Sequence, residues 1–164
     1  MDFYIFRHGE TFFTKHKIPY YQEQIVTAEI LSEGIPVIKK IAEKLKEIPT
    51  DANFTSPYKR CLQTTEIISK ISGKKFTIDK RLHDFNTYIG ESITKVVERI
   101  SSFYEDLKRN NYKSVAVCTH GYPTSILKCL IIEGAFRLEK LNSYPKPGVL
   151  TIIKNGKIKS INFN

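Results

Sequence analysis

Two histidines in this 164-residue chain share one local setting: an apolar run, then the histidine, then a glycine. Phe3-Tyr4-Ile5-Phe6 leads into Arg7-His8-Gly9-Glu10-Thr11, and Val115-Ala116-Val117-Cys118-Thr119 leads into His120-Gly121. Runs rich in β-branched and aromatic residues are the pattern of buried strands. Both imidazoles are therefore delivered where a strand leaves its sheet, and in open α/β sheets functional groups gather beyond the carboxyl ends of parallel strands. If the two strands are neighbours, about 4.8 Å apart, both rings face one group of atoms between them. Arg7 adjoins His8. Arg60 falls in the first turn of a helix expected to open at Ser56-Pro57, and helical side chains lean toward the N-terminus, which brings it to the same rim. A helix N-terminus over residues 121 to 124, beginning at Gly121, adds backbone donors and a positive dipole. Two guanidiniums, two imidazoles and a helix N-terminus make a cationic pocket matched to phosphate, because guanidinium offers paired donors to its oxygens. A metal site fits these residues less well. An arginine beside a ligand histidine repels a cation, and no His-x-x-x-His or carboxylate-flanked spacing occurs.

The elements that must position these groups follow from periodicity. After the first strand, residues 9 to 31 carry turn formers, aromatics and Pro19 without sustained periodicity and read as a loop over the strand end. Ile35, Ile38, Ile41, Ala42 and Leu45 form one helical face ending before Pro49. A short strand is expected at Ala52-Asn53-Phe54-Thr55. A helix capped by Ser56, with Pro57 at its first position, should carry Cys61, Leu62, Thr65, Ile68 and Ile71 to Gly73. A strand at residues 75 to 79 and a polar loop at 81 to 91 come next. An amphipathic helix then runs from Ile93 to Leu107 and stops at Asn110-Asn111. The run at 114 to 119 reads as a central strand, and Pro123 opens the helix that ends at Gly134. Two strands, Val149 to Lys154 and Lys157 to Phe163, flank Asn155-Gly156, the strongest short hairpin signal. This order implies a three-layer α/β/α sandwich around a mostly parallel, mixed sheet, in a single domain over residues 1 to 164.

Composition narrows the partners. With 41% hydrophobic residues and no low-complexity tract, the chain has enough apolar material for a core. No apolar run reaches membrane-spanning length, and the first nine residues enter a strand without a basic leader segment, so a cytoplasmic protein is expected. Cys61, Cys118 and Cys129 each sit in an apolar pattern, without Cys-x-x-Cys spacing, and read as buried reduced thiols. The net charge of +9 invites a nucleic-acid reading. However, the lysines are scattered over helix faces and turns, as at Lys39, Lys40, Lys44 and Lys46, with no aromatic-interleaved block that would stack bases. The field instead favours a small anionic substrate.

Arg7-His8-Gly9-Glu10-Thr11, Ser56-Pro57-Tyr58-Lys59-Arg60 with Gln63-Thr64, and Thr119-His120-Gly121 together resemble the histidine phosphatase superfamily, which contains cofactor-dependent phosphoglycerate mutases and many phosphatases. The resemblance covers residues 1 to about 134 in the family's order. It implies that His8 is a nucleophile that becomes phosphorylated, that Arg7, Arg60 and His120 bind the phosphoryl group, and that no metal or other cofactor takes part. The family's acid stands two residues after a leucine, which places it at Asp84 in Leu82-His83-Asp84, with Glu91 and Glu10 as alternatives. A substrate-side asparagine of many relatives is replaced by Thr14, whose hydroxyl could donate in its place. Phe12, Phe13, His16, Tyr20 and Tyr21 either wall the substrate side or cap the core, and His16 and His83 read as solvated loop histidines. The implied activity is metal-independent hydrolysis of a small phosphomonoester. The alternatives are a phosphohistidine protein phosphatase and a phosphoglycerate mutase. Selectivity should lie in residues 11 to 31, 81 to 91 and 135 to 147.

Overall fold

A computed structural model describes all residues, 1–164, and its organising element is one six-stranded sheet. Strands β1 (Asp2–Arg7), β2 (Ala52–Thr55), β3 (Thr77–Ile78), β4 (Ser114–Thr119), β5 (Val149–Lys154) and β6 (Lys157–Asn162) lie in the order β3-β2-β4-β1-β5-β6. The first four in that order are parallel, whereas β5 pairs antiparallel with β1 and β6 antiparallel with β5. The sheet is thus mixed, and the two histidine-bearing strands, β1 and β4, are neighbours at its centre.

Alternation along β1 and β4 divides the core in two. Phe3, Ile5, Val115 and Val117 point to one face, where Val96, Ile100, Phe103 and Leu107 of α5 (Ile93–Arg109) and Ile126 and Leu127 of α6 (Gly121–Glu133) cover them. Tyr4, Phe6, Ala116 and Cys118 point to the other, against Ile38, Ile41 and Leu45 of α3 (Ile35–Lys46) and Cys61 and Ile68 of α4 (Lys59–Ser72). Period-2 strands buried on both faces, between helices with one apolar stripe each, give a three-layer sandwich. All three cysteines are buried and free. No helix is long and apolar enough to cross a membrane.

Several expected boundaries shift. The stretch 9 to 31 is not simply loop: it holds two short helices, α1 (Phe12–His16) and α2 (Gln24–Thr27). Each is about one turn, too short for periodicity to register. Helix α4 starts at Lys59, with extended Tyr58 as its N-cap, so Ser56 does not cap it and Pro57 precedes it by two residues. Helix α6 begins at Gly121, which puts Pro123 third in its first turn. The strand expected at 75 to 79 shrinks to Thr77–Ile78, an exposed edge pair. The hairpin falls where expected: Asn155 and Gly156 both adopt positive φ, 47° and 72°, the conformation of a tight primed turn.

Candidate active site

The register of β1 on β4 sets the site. Arg7 lies opposite Thr119, so His8 and His120 are the next residues on two adjacent parallel strands. Their ring centroids are 5.3 Å apart, and both side chains are fully buried. His8 Nδ1 lies 2.7 Å from the Gly9 carbonyl oxygen. A carbonyl only accepts, so Nδ1 carries the proton and donates it there, leaving Nε2 as a bare lone pair. That Nε2 is buried and has no hydrogen-bond partner. Burial, followed by the positive charges of Arg60 and Arg7, holds the His8 imidazole well below its usual range of protonation. His8 is therefore a neutral imidazole of fixed tautomer. Its backbone is anchored as well, since the Gly9 N–H donates to Thr64 Oγ1 at 2.8 Å while that hydroxyl donates to the Arg60 carbonyl at 2.6 Å.

His120 directly follows β4 and occupies the N-cap position of α6, its side chain left free of the helix. Its Nε2 is 2.7 Å from Ser56 Oγ, and its Nδ1 is 3.6 Å from Asp84 Oδ2. Burial and then Arg60 and His8 depress its protonation too. Ser56, expected as a helix cap, instead holds this ring.

Arg60 has no exposed surface. Its Nη2 donates to Asp84 Oδ2 at 2.9 Å, its Nη1 to the Ile25 carbonyl, and its guanidinium carbon lies 4.2 Å from the Tyr20 ring centroid. Arg7 donates from Nη1 to the Pro145 carbonyl at 3.1 Å and sits over the Tyr144 ring at 5.0 Å. The Nε of each arginine and Nδ1 of His120 are buried without partners, like His8 Nε2. Buried polar atoms are nearly always paired. Two guanidinium donors left unpaired beside a nucleophilic lone pair make an arrangement that an anionic, tetrahedral group would complete.

Asp84 reaches this cluster from the loop after the Lys80–Leu82 turn. Its Oδ1 accepts from the Phe85 N–H at 3.0 Å, which orients the carboxylate. The two alternative acids lie elsewhere. Glu91 is occupied by Arg99 Nε at 2.7 Å and the Asn86 N–H at 3.0 Å, and its salt bridge holds its protonation below the usual carboxylate range despite burial. Glu10 faces the turn at Gly34, outside the cleft that Asp84 lines. Thr14 does line the cleft, but its hydroxyl donates to the Thr11 carbonyl at 3.1 Å and accepts from the Thr11 N–H at 2.8 Å, capping α1. The hydroxyl expected to reach substrate is thus engaged within its own turn. His83 is also corrected: it is mostly buried, with Nδ1 2.7 Å from the Asp84 carbonyl and its ring beside Tyr58, and burial lowers its protonation. It supports the backbone of Asp84. His16 is exposed, its ring tilted against Phe12 with centroids 4.4 Å apart.

Next to these buried groups, and meeting them at Arg7, Asp84 and Gly121, opens a cleft of about 620 Å³ that Tyr20, Tyr122 and Tyr144 also line; His8, His120 and Arg60 themselves lie beneath its surface. At Gly121 the chain passes so close to Tyr144 that a Cβ would stand 2.8 Å from its ring. Tyr20, one of the aromatics expected to wall the substrate side or cap the core, lines the cleft, whereas the Ile25 carbonyl and Tyr144 were not marked by the sequence, because each is brought in by a contact distant along the chain.

Residues 3–88 and 83–154 match the histidine phosphatase superfamily (branch 1). The chain belongs to that superfamily. It is 21% identical to a Hydrogenobacter thermophilus protein provisionally named phosphoserine phosphatase 2, over 78% of this chain and 77% of that protein. Among solved structures, the alpha-ribazole phosphatase from Shigella flexneri superposes with a TM-score of 0.77 at 15% identity, covering 97% of this chain and 94% of that one. The protein histidine phosphatase SixA, solved with tungstate, gives 0.68 at 16% identity, covering 98% and 94%. At such identities the superpositions establish a shared fold. Arg7, His8, Arg60, His120 and Gly121, expected from the residues themselves, and Asp84, placed there by the family resemblance, gather at the edge where β1 and β4 end.

Proposed function

We propose that the chain, acting as one domain over residues 1–164, is a metal-independent phosphomonoesterase for a small phosphorylated metabolite, working through a phosphohistidine on His8. The observation that carries this reading is the His8 imidazole, with Nδ1–H held by the Gly9 carbonyl and Nε2 bare, buried and unpartnered between two arginines. In the first step Nε2 attacks phosphorus in line and the bond from phosphorus to the alkoxide oxygen breaks. Arg7, Arg60 and the first N–H groups of α6 spread the charge on the three equatorial oxygens. Asp84 takes the acidic proton of the substrate's phosphate monoanion and passes it to the departing alkoxide. In the second step water attacks phosphorus, the phosphorus–nitrogen bond returns its electrons to His8, and Asp84 takes the water proton. Guanidiniums supply the positive charge that a metal supplies in other phosphatases, and they would repel a bound cation.

Phosphate would reach Arg60 at its unpartnered Nε and share the guanidinium with Asp84 and the Ile25 carbonyl. The helix-bearing stretch 11 to 31, which supplies the Ile25 carbonyl and the Tyr20 ring, forms one wall of the site. A side-chain-lined cleft of about 620 Å³, the size of pockets that hold whole metabolites, favours a small-molecule substrate. The test is hydrolysis of 4-nitrophenyl phosphate in excess chelator. Wild-type protein should turn it over and His8→Ala should lose at least about 10³-fold. Full turnover by His8→Ala would falsify the reading.

A further inference from the structure

Beyond the phosphoryl end, the cleft carries two features that transfer of a phosphate alone does not require. The first is aromatic surface. Phe85, Tyr122 and Tyr144 form one connected group, with ring centroids 5.9 Å and 5.7 Å apart in sequence of contact. Phe13, Tyr20 and Tyr88 form another, joined by the 4.7 Å Phe13–Tyr20 contact and by the Tyr88 hydroxyl, which donates to the Tyr20 carbonyl at 3.2 Å. Both groups line the same cleft, although they come from four separate segments of chain. The second feature is charge. Lys17 and Lys146 also line the cleft, both are exposed, and neither takes part in the ion pairs that occupy Lys15, Lys59, Lys140 and other lysines. Asp84 is the cleft's one acidic residue, and Arg60 already holds it. Lys17 is held in the left-handed region, with φ of 55°, by the chain reversal after α1, a placement set by backbone geometry.

We propose that this cleft takes a phosphomonoester whose alcohol carries an aromatic heterocycle and a second anionic group, with Lys17 and Lys146 binding that anion. The inference rests on the phosphatase reading above and deepens it. Four chemical facts support the assignment. A volume of about 620 Å³ falls within the range of pockets that enclose whole metabolites and far exceeds one phosphoryl group. Flat rings present π faces on which a heterocycle stacks, and tyrosine adds a polar edge. Two lysines without partners, in a cleft whose only carboxylate is engaged, leave an uncompensated positive charge after Arg7 has been assigned to the transferred phosphate. Ammonium groups on flexible stems recognise an anion as point charges, so a phosphate or a carboxylate satisfies them.

The experiment compares three esters with the same reacting oxygen: ribose 5-phosphate, adenosine 5′-monophosphate and adenosine 3′,5′-bisphosphate. O-phosphoserine is the non-aromatic anionic control and 4-nitrophenyl phosphate the general one. Stacking and then ion pairing should each raise kcat/KM by about tenfold along the series of three. In the Lys17→Ala/Lys146→Ala double variant, the preference for the bisphosphate over the monophosphate should fall to near one. Equal kcat/KM across the series, O-phosphoserine outranking the nucleotides, or a double variant that keeps the full bisphosphate preference would each overturn the proposal. Titration of His8→Ala with adenosine 3′,5′-bisphosphate, followed by calorimetry with and without the lysine substitutions, reads binding without chemistry. Lysine-dependent binding with no turnover of any ester by the wild type would sink the phosphatase reading and keep the ligand class. Turnover of 4-nitrophenyl phosphate without lysine-dependent binding would do the reverse.

Discussion

At the scale of the residue, protonation governs His8 and His120. Both are depressed below the ordinary value of 6.5 by burial and by neighbouring arginines. A depressed pKa means that the bare lone pair persists as pH falls through 6.5 and is lost only when the folded value is crossed. The acid limb of kcat/KM for 4-nitrophenyl phosphate should therefore lie below 6.5, and a limb centred at or above 6.5 would contradict the buried geometry. The same shift has a stability consequence. Between the folded and unfolded values the unfolded chain binds more protons, so stability rises with pH across that window and falls as pH drops below about 6.5. The slope is up to about 1.4 kcal/mol per pH unit for each histidine. Thermal melting between pH 5 and 7 measures it, and His120→Gln should flatten the curve.

Asp84 invites a second substitution at this scale. Asp84→Asn retains an oxygen for the Arg60 N–H and so keeps the packing, but it cannot hand over a proton. Turnover of an alkyl ester such as ribose 5-phosphate should fall by about 10² to 10⁴. Hydrolysis of 4-nitrophenyl phosphate, whose leaving group needs little protonation, should fall much less. Equal losses on both esters would mean that the carboxylate serves only to place Arg60. Replacing Arg60 by alanine is the less informative change, because it strands Asp84 and opens a buried void, at a cost of about 3–5 kcal/mol.

At the scale of the element, the site depends on close passage of loops over strand ends. Gly121→Ala would drive a methyl group into the Tyr144 ring, which must then leave its place over Arg7. KM should rise more than kcat falls, with a destabilisation of about 1–3 kcal/mol, and steady-state kinetics beside chemical denaturation would separate the two effects. Thr64→Val strips the acceptor from the buried Gly9 N–H and should cost about 1–3 kcal/mol. Periodicity located the long elements α3, α5, β4 and the hairpin well, because each contains several repeats of its own pattern. It failed at α1 and α2, which are single turns, and at the start of α4. There Ser56-Pro57 reads as a cap and first position in isolation, while His120, distant in sequence, claims the serine hydroxyl.

At the scale of the whole molecule, the net charge of +9 surrounds a cleft that already holds Arg7, Lys17 and Lys146. Long-range attraction should make kcat/KM for a dianionic ester decline as salt rises from about 0.01 M to 0.5 M, over which the screening length shrinks several-fold. A flat response would assign the lysines to solvation alone. The sandwich itself bears on function through its strand order, since parallel neighbours end at the same edge and bring their following residues together.

The sequence by itself determined the chemistry: which groups stand after which strands, and that arginines and imidazoles of this kind suit phosphate. Those features are local, written in alternation along β1 and β4 and in the residues that directly follow them. Tertiary structure alone decided that β1 and β4 are adjacent and in register, that Asp84 is the carboxylate within reach while Glu91 is spent on Arg99, and that Thr14 caps a helix. It also decided that loops far apart in the chain line one cleft with aromatic rings and with Lys17 and Lys146. Such pairings depend on how loops without periodicity settle against a sheet, and no spacing along the chain encodes that.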